Sequence, residues 1–186
     1  EMAVANLMTA QVARYLRAAF SGHAGLTDAK LPSVEAGYQK ALSAIPTLLA
    51  GGNLWMDAGL LGIDEVCSPI QLILDNEFLS ALKYFTREMQ VDEETIGLEM
   101  ILAAGPGGSY VAEEHTARHF RHSLWQPGIW SREMLAVWEM YGSRLDMDKA
   151  ADQAQQVKIG EPEINEDFSQ ALQQVINQAR TGLYSI

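Results

Sequence analysis

Apolar residues recur at steps of three and four positions along most of the chain, the spacing that places side chains on one face of an α-helix. The first such segment predicts a helix over Glu1–Ala19, and the second predicts a helix over Ser33–Leu49 that is kinked at Pro46. In both helices the large apolar residues are expected to face the core. They are Val4, Leu7, Met8, Val12, Tyr15 and Leu16 in the first helix, and Tyr38, Leu42, Ile45 and Leu49 in the second.

A short apolar run bounded by glycines, Asn53–Ala58, predicts a buried strand that leads into a loop over Gly59–Val66. The glycine-rich segment 21–33, which precedes the second helix, is expected to be an irregular loop. A single strand cannot satisfy its own backbone hydrogen bonds, so this strand indicates partner strands that the pattern does not reveal. The order of helix, strand, loop and helix is typical of α/β proteins.

The rest of the chain predicts further helices from their end signals. Ser68 followed by Pro69 marks a helix start, and Asp75 and Glu77 lie mostly off the apolar stripe of that helix. The segment 109–129 should be only partly helical, because its regularity is lower than that of its neighbours. The other predicted helices are Asp92–Gly105, Ser131–Gly142, about Asp148–Val157 and Asn165–Arg180. The chain should therefore hold six or seven helices and one or two strands.

Composition narrows the class of protein. With 186 residues the chain is expected to form one domain or a little more. Thirteen basic against 24 acidic residues leave a net charge of −11, which disfavours nucleic acid and anionic membrane surfaces as partners. No apolar run approaches the roughly 20 residues of a membrane span. The single cysteine, Cys67, excludes an intramolecular disulfide and favours a cytoplasmic protein with a buried structural thiol.

Candidate binding residues lie next to the predicted strand and in the loop before the second helix. His23, Asp28 and Lys30 share a glycine-rich loop, whose alternative interpretation is a solvated turn. Asp57 follows the strand two residues after Trp55, at the end where α/β proteins meet their ligands. A carboxylate beside aromatic faces suits a quaternary ammonium group. For Trp55, the alternative is an ordinary core residue.

Other types of site have weaker support. His115 and His119 are four positions apart, as two metal ligands on a helix would be, but Thr116 stands where a zinc protease has its glutamate. We therefore expect hydrogen-bonding structural roles for these histidines and no metal site, and the alternative is a metal-dependent enzyme that uses His115 and His119. The sequence contains no Gly-x-Ser-x-Gly, Gly-x-Gly-x-x-Gly or Cys-x-x-Cys motif, which removes the main support for hydrolase, dinucleotide-binding and zinc-ribbon functions.

Five segments together resemble the trimethylamine methyltransferase family. They are GLTDAKLPSVEAGYQKAL (25–42), LLAGGNLWMDAGLL (48–61), IQLILDNEFLSALK (70–83), VDEETIGLEMI (91–101) and GPGGSYVAEEHTARHFRHSLWQP (105–127). The resemblance implies a (β/α)8 barrel of which this chain is the C-terminal part, predominantly helical with one or two short strands. Residues 1–130 would complete the barrel, and residues 131–186 would form a helical extension.

The same resemblance implies an activity. Members of the family move a methyl group from a methylated amine, such as trimethylamine or glycine betaine, to the cobalt of a corrinoid (cobalamin) that a separate partner protein carries. The expected partners are thus a corrinoid protein, a small methylated amine and further copies of the same chain. No cofactor is expected to bind tightly to this chain.

The resemblance also assigns roles to the candidate residues. Lys30 is the candidate for the position that pyrrolysine occupies in some members, so Lys30 and Asp28 are the expected catalytic residues. Without pyrrolysine, a quaternary amine is the favoured substrate. Asp75 and Glu77 are expected to be structural. The expected substrate-binding residues are Asp57, Trp55, His23 and His115. The alternative function is that of a catalytically inert helical module that self-associates.

Overall fold

The computed structural model describes residues 1–157 and 165–183, which form nine helices and four short strands. Two compact units divide the chain, Glu1–Gln156 and Val157–Ile186. The helices are α1 (Met2–Tyr15), α2 (Val34–Leu49), α3 (Pro69–Phe85), α4 (Glu93–Ile96), α5 (Leu98–Ala104), α6 (Glu114–Ser123), α7 (Leu135–Met140), α8 (Asp146–Gln156) and α9 (Glu166–Leu183). The strands are β1 (Ser21–Ala24), β2 (Asn53–Met56), β3 (Leu60–Leu61) and β4 (Val66–Cys67).

The predicted strand has a partner within the described chain. β2 pairs in parallel with β1, from Ser21 opposite Asn53 to Ala24 opposite Met56, and α2 connects the two strands. The expectation of an irregular loop from residue 21 onward is therefore wrong for residues 21–24. Ser-Gly-His-Ala contains no β-branched residue, the usual signal of a strand. Burial alternates along β1 instead, with Gly22 and Ala24 facing inward.

The second helix has the predicted limits, but it buries the opposite face. Ser33 caps α2 by accepting a hydrogen bond from the Ala36 N–H, and the helix continues through Pro46 to Leu49. The large residues Tyr38, Leu42 and Leu49, expected in the core, are 74%, 67% and 62% exposed. The buried positions are those with smaller or polar side chains, Ala36, Lys40, Ser43, Ala44 and Thr47. Small side chains let α2 lie close to α1 and the β1–β2 pair.

The first helix shows the same reversal. α1 contacts α2 and β1, and its one buried residue is Ala10. The apolar residues expected in the core point outward instead. Those exposed are Val4, Met8, Val12, Tyr15 and Leu16. The main core of this unit is consequently made of Ala24, Ala44 and Leu82, with Ile45, Leu48, Leu54, Met56 and Phe78 packed around them.

The third helix begins as predicted and differs in which residues it buries. The Ser68 hydroxyl accepts a hydrogen bond from the Gln71 N–H at 3.2 Å, and Pro69 is the first helical residue. Asp75 and Glu77, predicted off the buried stripe, are only 2% and 7% exposed. Both carboxylates have hydrogen-bond partners, which is why burial is tolerated.

Two of the later segments are more broken than the sequence pattern indicates. The predicted helix from Asp92 to Gly105 is interrupted at Gly97, whose φ of +62° separates α4 from α5. The predicted loop after β2 contains a small antiparallel pair, β3 with β4. Cys67, on β4, is exposed, so the expectation of a buried thiol is wrong.

The later helices lie at approximately the predicted places, but the described residues form nine helices and four short strands, more than the six or seven helices and one or two strands expected. α6 lies in the segment expected to be partly helical, and α9 is capped by Asn165, whose side-chain oxygen accepts from the Phe168 N–H at 2.8 Å. Within the described residues, no helix is both long and apolar enough to cross a membrane. This part of the chain is mostly helical with a few short strands, consistent with an α/β protein. The functional division expected at residue 130 stays a prediction.

Candidate functional site

The carboxyl ends of the two parallel strands bring two of the predicted residues into contact. Asp57 directly follows β2, and its Oδ2 lies 3.2 Å from Nδ1 of His23 on β1. The Asp57 side chain is 12% exposed, whereas that of His23 is 66% exposed. The Asp57 N–H donates to the Ala24 carbonyl at 3.1 Å, which continues the pairing of the strands. The carboxylate is thus mostly shielded from solvent, while the imidazole that contacts it is largely exposed.

The loop after β1 carries two further predicted residues. Asp28 and Lys30 are exposed, while Thr27 and Ala29 between them are buried. The Lys30 ammonium donates to the Asp28 carbonyl at 2.5 Å. Alternation of this kind is typical of an extended segment with one face against the protein. Asp28 and Lys30 therefore face away from the packed side of the loop.

This loop is held by hydrogen bonds from its buried side. Oε1 of Gln39, on α2, accepts from the Thr27 hydroxyl and from the Asp28 N–H, each at 2.7 Å. On the other side, the Ile63 N–H donates to the Thr27 carbonyl at 2.7 Å, and the Gly62 N–H donates to the Ala29 carbonyl at 2.8 Å. The loop backbone is therefore anchored on both sides. The Thr27 hydroxyl also accepts from the Ala29 N–H at 3.1 Å, the kind of local bond that the alternative interpretation as a turn expects.

A buried ion pair supports the turn that carries Asp57. The Lys40 ammonium lies 2.8 Å from Asp75 Oδ2, and the two side chains are 2% and 3% exposed. The same ammonium donates to the Asp57 carbonyl at 3.3 Å. Asp75 Oδ2 also accepts from the Gly59 N–H at 2.8 Å, and its Oδ1 accepts from the Gln71 side-chain amide at 2.8 Å. The pair thereby ties α2, α3 and the turn after β2 together.

The backbone at the first residue after β1 strongly favours glycine. Gly25 has a φ of +79°, and a Cβ added there would lie 2.6 Å from Cε of Met56. Its N–H donates to the Ser43 hydroxyl at 2.9 Å. Only glycine adopts this backbone conformation easily and leaves space for the neighbouring methionine. The turn at Gly25 thus ends β1 and begins the loop that contains Asp28 and Lys30.

The last two predicted residues, Trp55 and His115, lie on separate elements, β2 and α6. Trp55 lies opposite His23 in the backbone register of the strands. His115 lies in the first turn of α6, where its Nε2 is 2.6 Å from the Glu94 carbonyl and its ring centroid is 4.4 Å from that of His119. With Glu94 and Gly97, His115 lines an open cavity of about 770 Å³. The described residues contain no group of three or more His, Cys, Asp or Glu side chains placed to hold a metal ion.

Of the six predicted site residues, the structure brings His23 and Asp57 into contact, while Asp28 and Lys30 lie in the loop that follows β1. Their roles stay predictions. Sequence reasoning missed Lys40, because a lysine in a helix is usually exposed. A usable signal was present, since this lysine shares one helical face with Ala36, Ala44 and Thr47.

Comparison with known proteins shows similarity to methyltransferases. A family model for trimethylamine methyltransferase (MTTB) matches residues 1–183. Trimethylamine methyltransferase MttB of Desulfitobacterium hafniense is 28% identical over 154 residues, covering 83% of this chain and 31% of that protein. MttB1 of Methanosarcina acetivorans is 31% identical over 125 residues, covering 67% of this chain and 25% of its own length.

A further relative has a different substrate in its name. The glycine betaine methyltransferase of Desulfitobacterium hafniense is 26% identical over 131 residues, covering 70% of this chain and 27% of that protein. The chain spans about a quarter to a third of the length of these relatives. Because the family match extends over nearly all of its residues, the chain belongs to the trimethylamine methyltransferase family.

Proposed function

We propose that this chain is the C-terminal portion of a methyltransferase that moves a methyl group from a methylated amine to a corrinoid protein. The family membership and the names of the relatives, which include trimethylamine and glycine betaine methyltransferases, support the amine substrate. The barrel implied by the resemblance agrees with a parallel strand pair whose carboxyl ends carry the candidate residues.

The Asp57–His23 pair is the observation that carries the proposal. A quaternary ammonium group has no N–H to donate, so it is held by charge and by contact with apolar and aromatic surfaces. A carboxylate that is 12% exposed attracts such a cation more strongly than one in bulk water, because solvent screens it less. His23 lies 3.2 Å from one carboxylate oxygen, which restricts the orientation of the Asp57 side chain.

The loop residues add to the same edge. Asp28 supplies a second negative charge, and Lys30 supplies a cation that can contact the anionic end of a betaine. Both lie on an anchored backbone, so only their side chains have to be ordered when the ligand binds. The role of His115 as a substrate contact stays a prediction.

The edge also suits a methyl acceptor brought by another protein. His23, Asp28 and Lys30 are exposed, so their side chains are accessible to another protein. The corrinoid, when carried there by its partner protein, supplies a nucleophilic cobalt that accepts the methyl group. This chain's contribution is to hold the amine, orient a methyl group outward and neutralise the substrate's charge until the neutral amine leaves.

Isothermal titration with glycine betaine, trimethylamine and carnitine tests the proposal on the protein in its native length and on residues 1–186. We expect Asp57→Asn to weaken amine binding by about ten-fold or more, because the carboxylate charge is removed. Asp64→Asn is the matched control, since Asp64 is an exposed aspartate in the turn between β3 and β4. Equal affinities for both variants and the unmodified protein would place the amine elsewhere.

The exposed apolar face of α1 supports a second candidate function, that of a helical module that self-associates. Tyr15, Leu16, Val4, Met8 and Val12 are 87%, 65%, 60%, 60% and 55% exposed. Such a face favours association. Sedimentation of residues 1–186 should then show dimers or larger species that Met8→Lys dissociates. A monomer at high concentration would remove this candidate without affecting the amine site.

A further inference from the structure

A buried ion pair, Lys40 with Asp75, lies next to the turn that carries Asp57 of the proposed amine site. The Lys40 ammonium contacts the Asp57 carbonyl, while its counter-ion Asp75 accepts from the Gly59 N–H. The turn is therefore held at two points, on either side of residue 58. Gly59 has a φ of +80°, so this turn also depends on a backbone conformation that few residues adopt.

We propose that Lys40 is a positioning residue for amine binding, which fixes the direction of the Asp57 carboxylate through this turn and has its charge cancelled by Asp75. This inference rests on the proposed function. It extends that function to a residue 17 positions away in sequence from Asp57, on a different element, that does not contact the ligand.

The cancellation of charge is the second part of the argument. An unpaired ammonium 3.3 Å from the Asp57 carbonyl would repel a cationic ligand across a poorly screened region. Asp75, at 2.8 Å from Lys40, removes that repulsion while leaving the hydrogen bond to the turn in place. Lys40 can then hold the turn without weakening the attraction of the site for a cation.

A role in stability alone accounts less well for a buried pair at this place. Buried ion pairs can often be replaced by apolar side chains of similar volume with little loss of stability, or with a gain. What an apolar pair cannot supply is the hydrogen bonds to the Asp57 carbonyl and the Gly59 N–H. Those two bonds are the part of the network that bears on the amine site.

The test compares two ligands of the same shape. Glycine betaine and its carbon analogue 3,3-dimethylbutanoate differ in the positive charge, so the ratio of their affinities reports how well Asp57 faces the cation. The double variant Lys40→Met/Asp75→Leu removes the network without leaving an unpaired buried charge. Arg144→Met/Asp152→Leu is the control, since it removes an exposed pair at 2.7 Å elsewhere.

We expect the unmodified protein to prefer glycine betaine by at least about ten-fold, and Asp57→Asn to abolish that preference. Lys40→Met/Asp75→Leu should lower the preference by about ten-fold, while binding of 3,3-dimethylbutanoate changes less than about two-fold. The control pair should keep the original ratio. A purely structural role for Lys40 would lower both affinities in parallel and leave the ratio unchanged.

Two results would overturn the inference in different ways. If Asp57→Asn loses the preference and Lys40→Met/Asp75→Leu keeps it, Lys40 does not position Asp57, and the proposed function stands. If Asp57→Asn keeps the preference for glycine betaine, Asp57 does not bind the amine. The proposed site and the inference about Lys40 are then both wrong. Should the double variant not fold, Lys40→Met/Asp75→Asn is measured instead, since it keeps an acceptor for the Gly59 N–H and leaves no buried charge, and we expect it to lower the preference for the cation as well.

Discussion

Glu77 Oε1 accepts a hydrogen bond from the Ile129 N–H at 2.9 Å, across 52 positions of the sequence. The same carboxylate accepts from the Trp130 N–H at 3.1 Å and from the Gly128 N–H at 3.2 Å. Lys149, on α8, donates to the Ile129 carbonyl at 3.0 Å from the other side. A buried carboxylate of α3 thus organises a turn that has no regular secondary structure.

Replacing this carboxylate should destabilise the protein. We expect Glu77→Gln to lower the free energy of unfolding by about 2 kcal/mol, because hydrogen bonds to a buried charge are stronger than those to an amide. Urea denaturation measures the change, and Glu139→Gln, at an exposed position of α7, should stay within about 0.5 kcal/mol. Similar losses in both variants would contradict the importance of the Glu77 contacts.

The buried ion pair predicts a non-additive pattern of stability. Lys40→Met alone should cost about 3–5 kcal/mol, because it leaves the Asp75 carboxylate buried without its counter-ion. The double variant Lys40→Met/Asp75→Leu should recover most of that loss, since neither charge remains. Denaturant titration of the single and double variants gives the coupling energy. A double variant as unstable as the sum of its singles would show that the two residues act independently.

Substitution of glycine by alanine is expected to have opposite effects on stability at two positions. Gly25→Ala should destabilise by about 1–3 kcal/mol, because it forces an alanine into a positive φ and against Met56. Gly37→Ala should stabilise by about 0.5–1 kcal/mol, since Gly37 lies within α2 and a Cβ there meets no atom within 4 Å. Thermal denaturation of both variants checks the difference in sign.

The N-terminal cap of α4 predicts a local dependence on pH. Hydrogen bonds from the Thr95 backbone N–H, and then from the Gln90 side chain, hold the pKa of Asp92 below its ordinary value of 3.8. The cap therefore contributes its full stability above that ordinary value and loses it as the pH falls through the lowered pKa. NMR shifts of Glu93–Ile96 should follow this change, and Asp92→Asn, whose amide also caps, should show no such dependence.

Local signals predicted the helices well because the residues that decide helix ends are close together in sequence. Ser33, Ser68 and Asp92 each cap a helix through a backbone N–H three residues away. β1 could not be predicted in this way, because a strand of Ser-Gly-His-Ala is stabilised by its pairing with β2, about 30 residues later. The predictions of which faces of α1 and α2 are buried were wrong, because close packing places small side chains, rather than large apolar ones, on the buried faces.

The candidate site shows the same division. His23 and Asp57 could be named from residue type and from their position next to a strand, but their contact follows from the parallel register of β1 and β2. Lys40 and Asp75 are 35 positions apart, on two different helices. No periodicity within either helix reveals such a pair, because the spacing depends on how the helices pack against the turn after β2.

The alternating burial of residues 27–30 has a consequence for how this family can vary. The backbone at Lys30 is held by its neighbours and by Gln39, whereas its own side chain contributes only a bond to the Asp28 carbonyl. Exchange at position 30 for a side chain of another length or chemistry therefore leaves the anchoring hydrogen bonds intact. The loop can accordingly accept different side chains at this exposed position without a change in the path of its backbone.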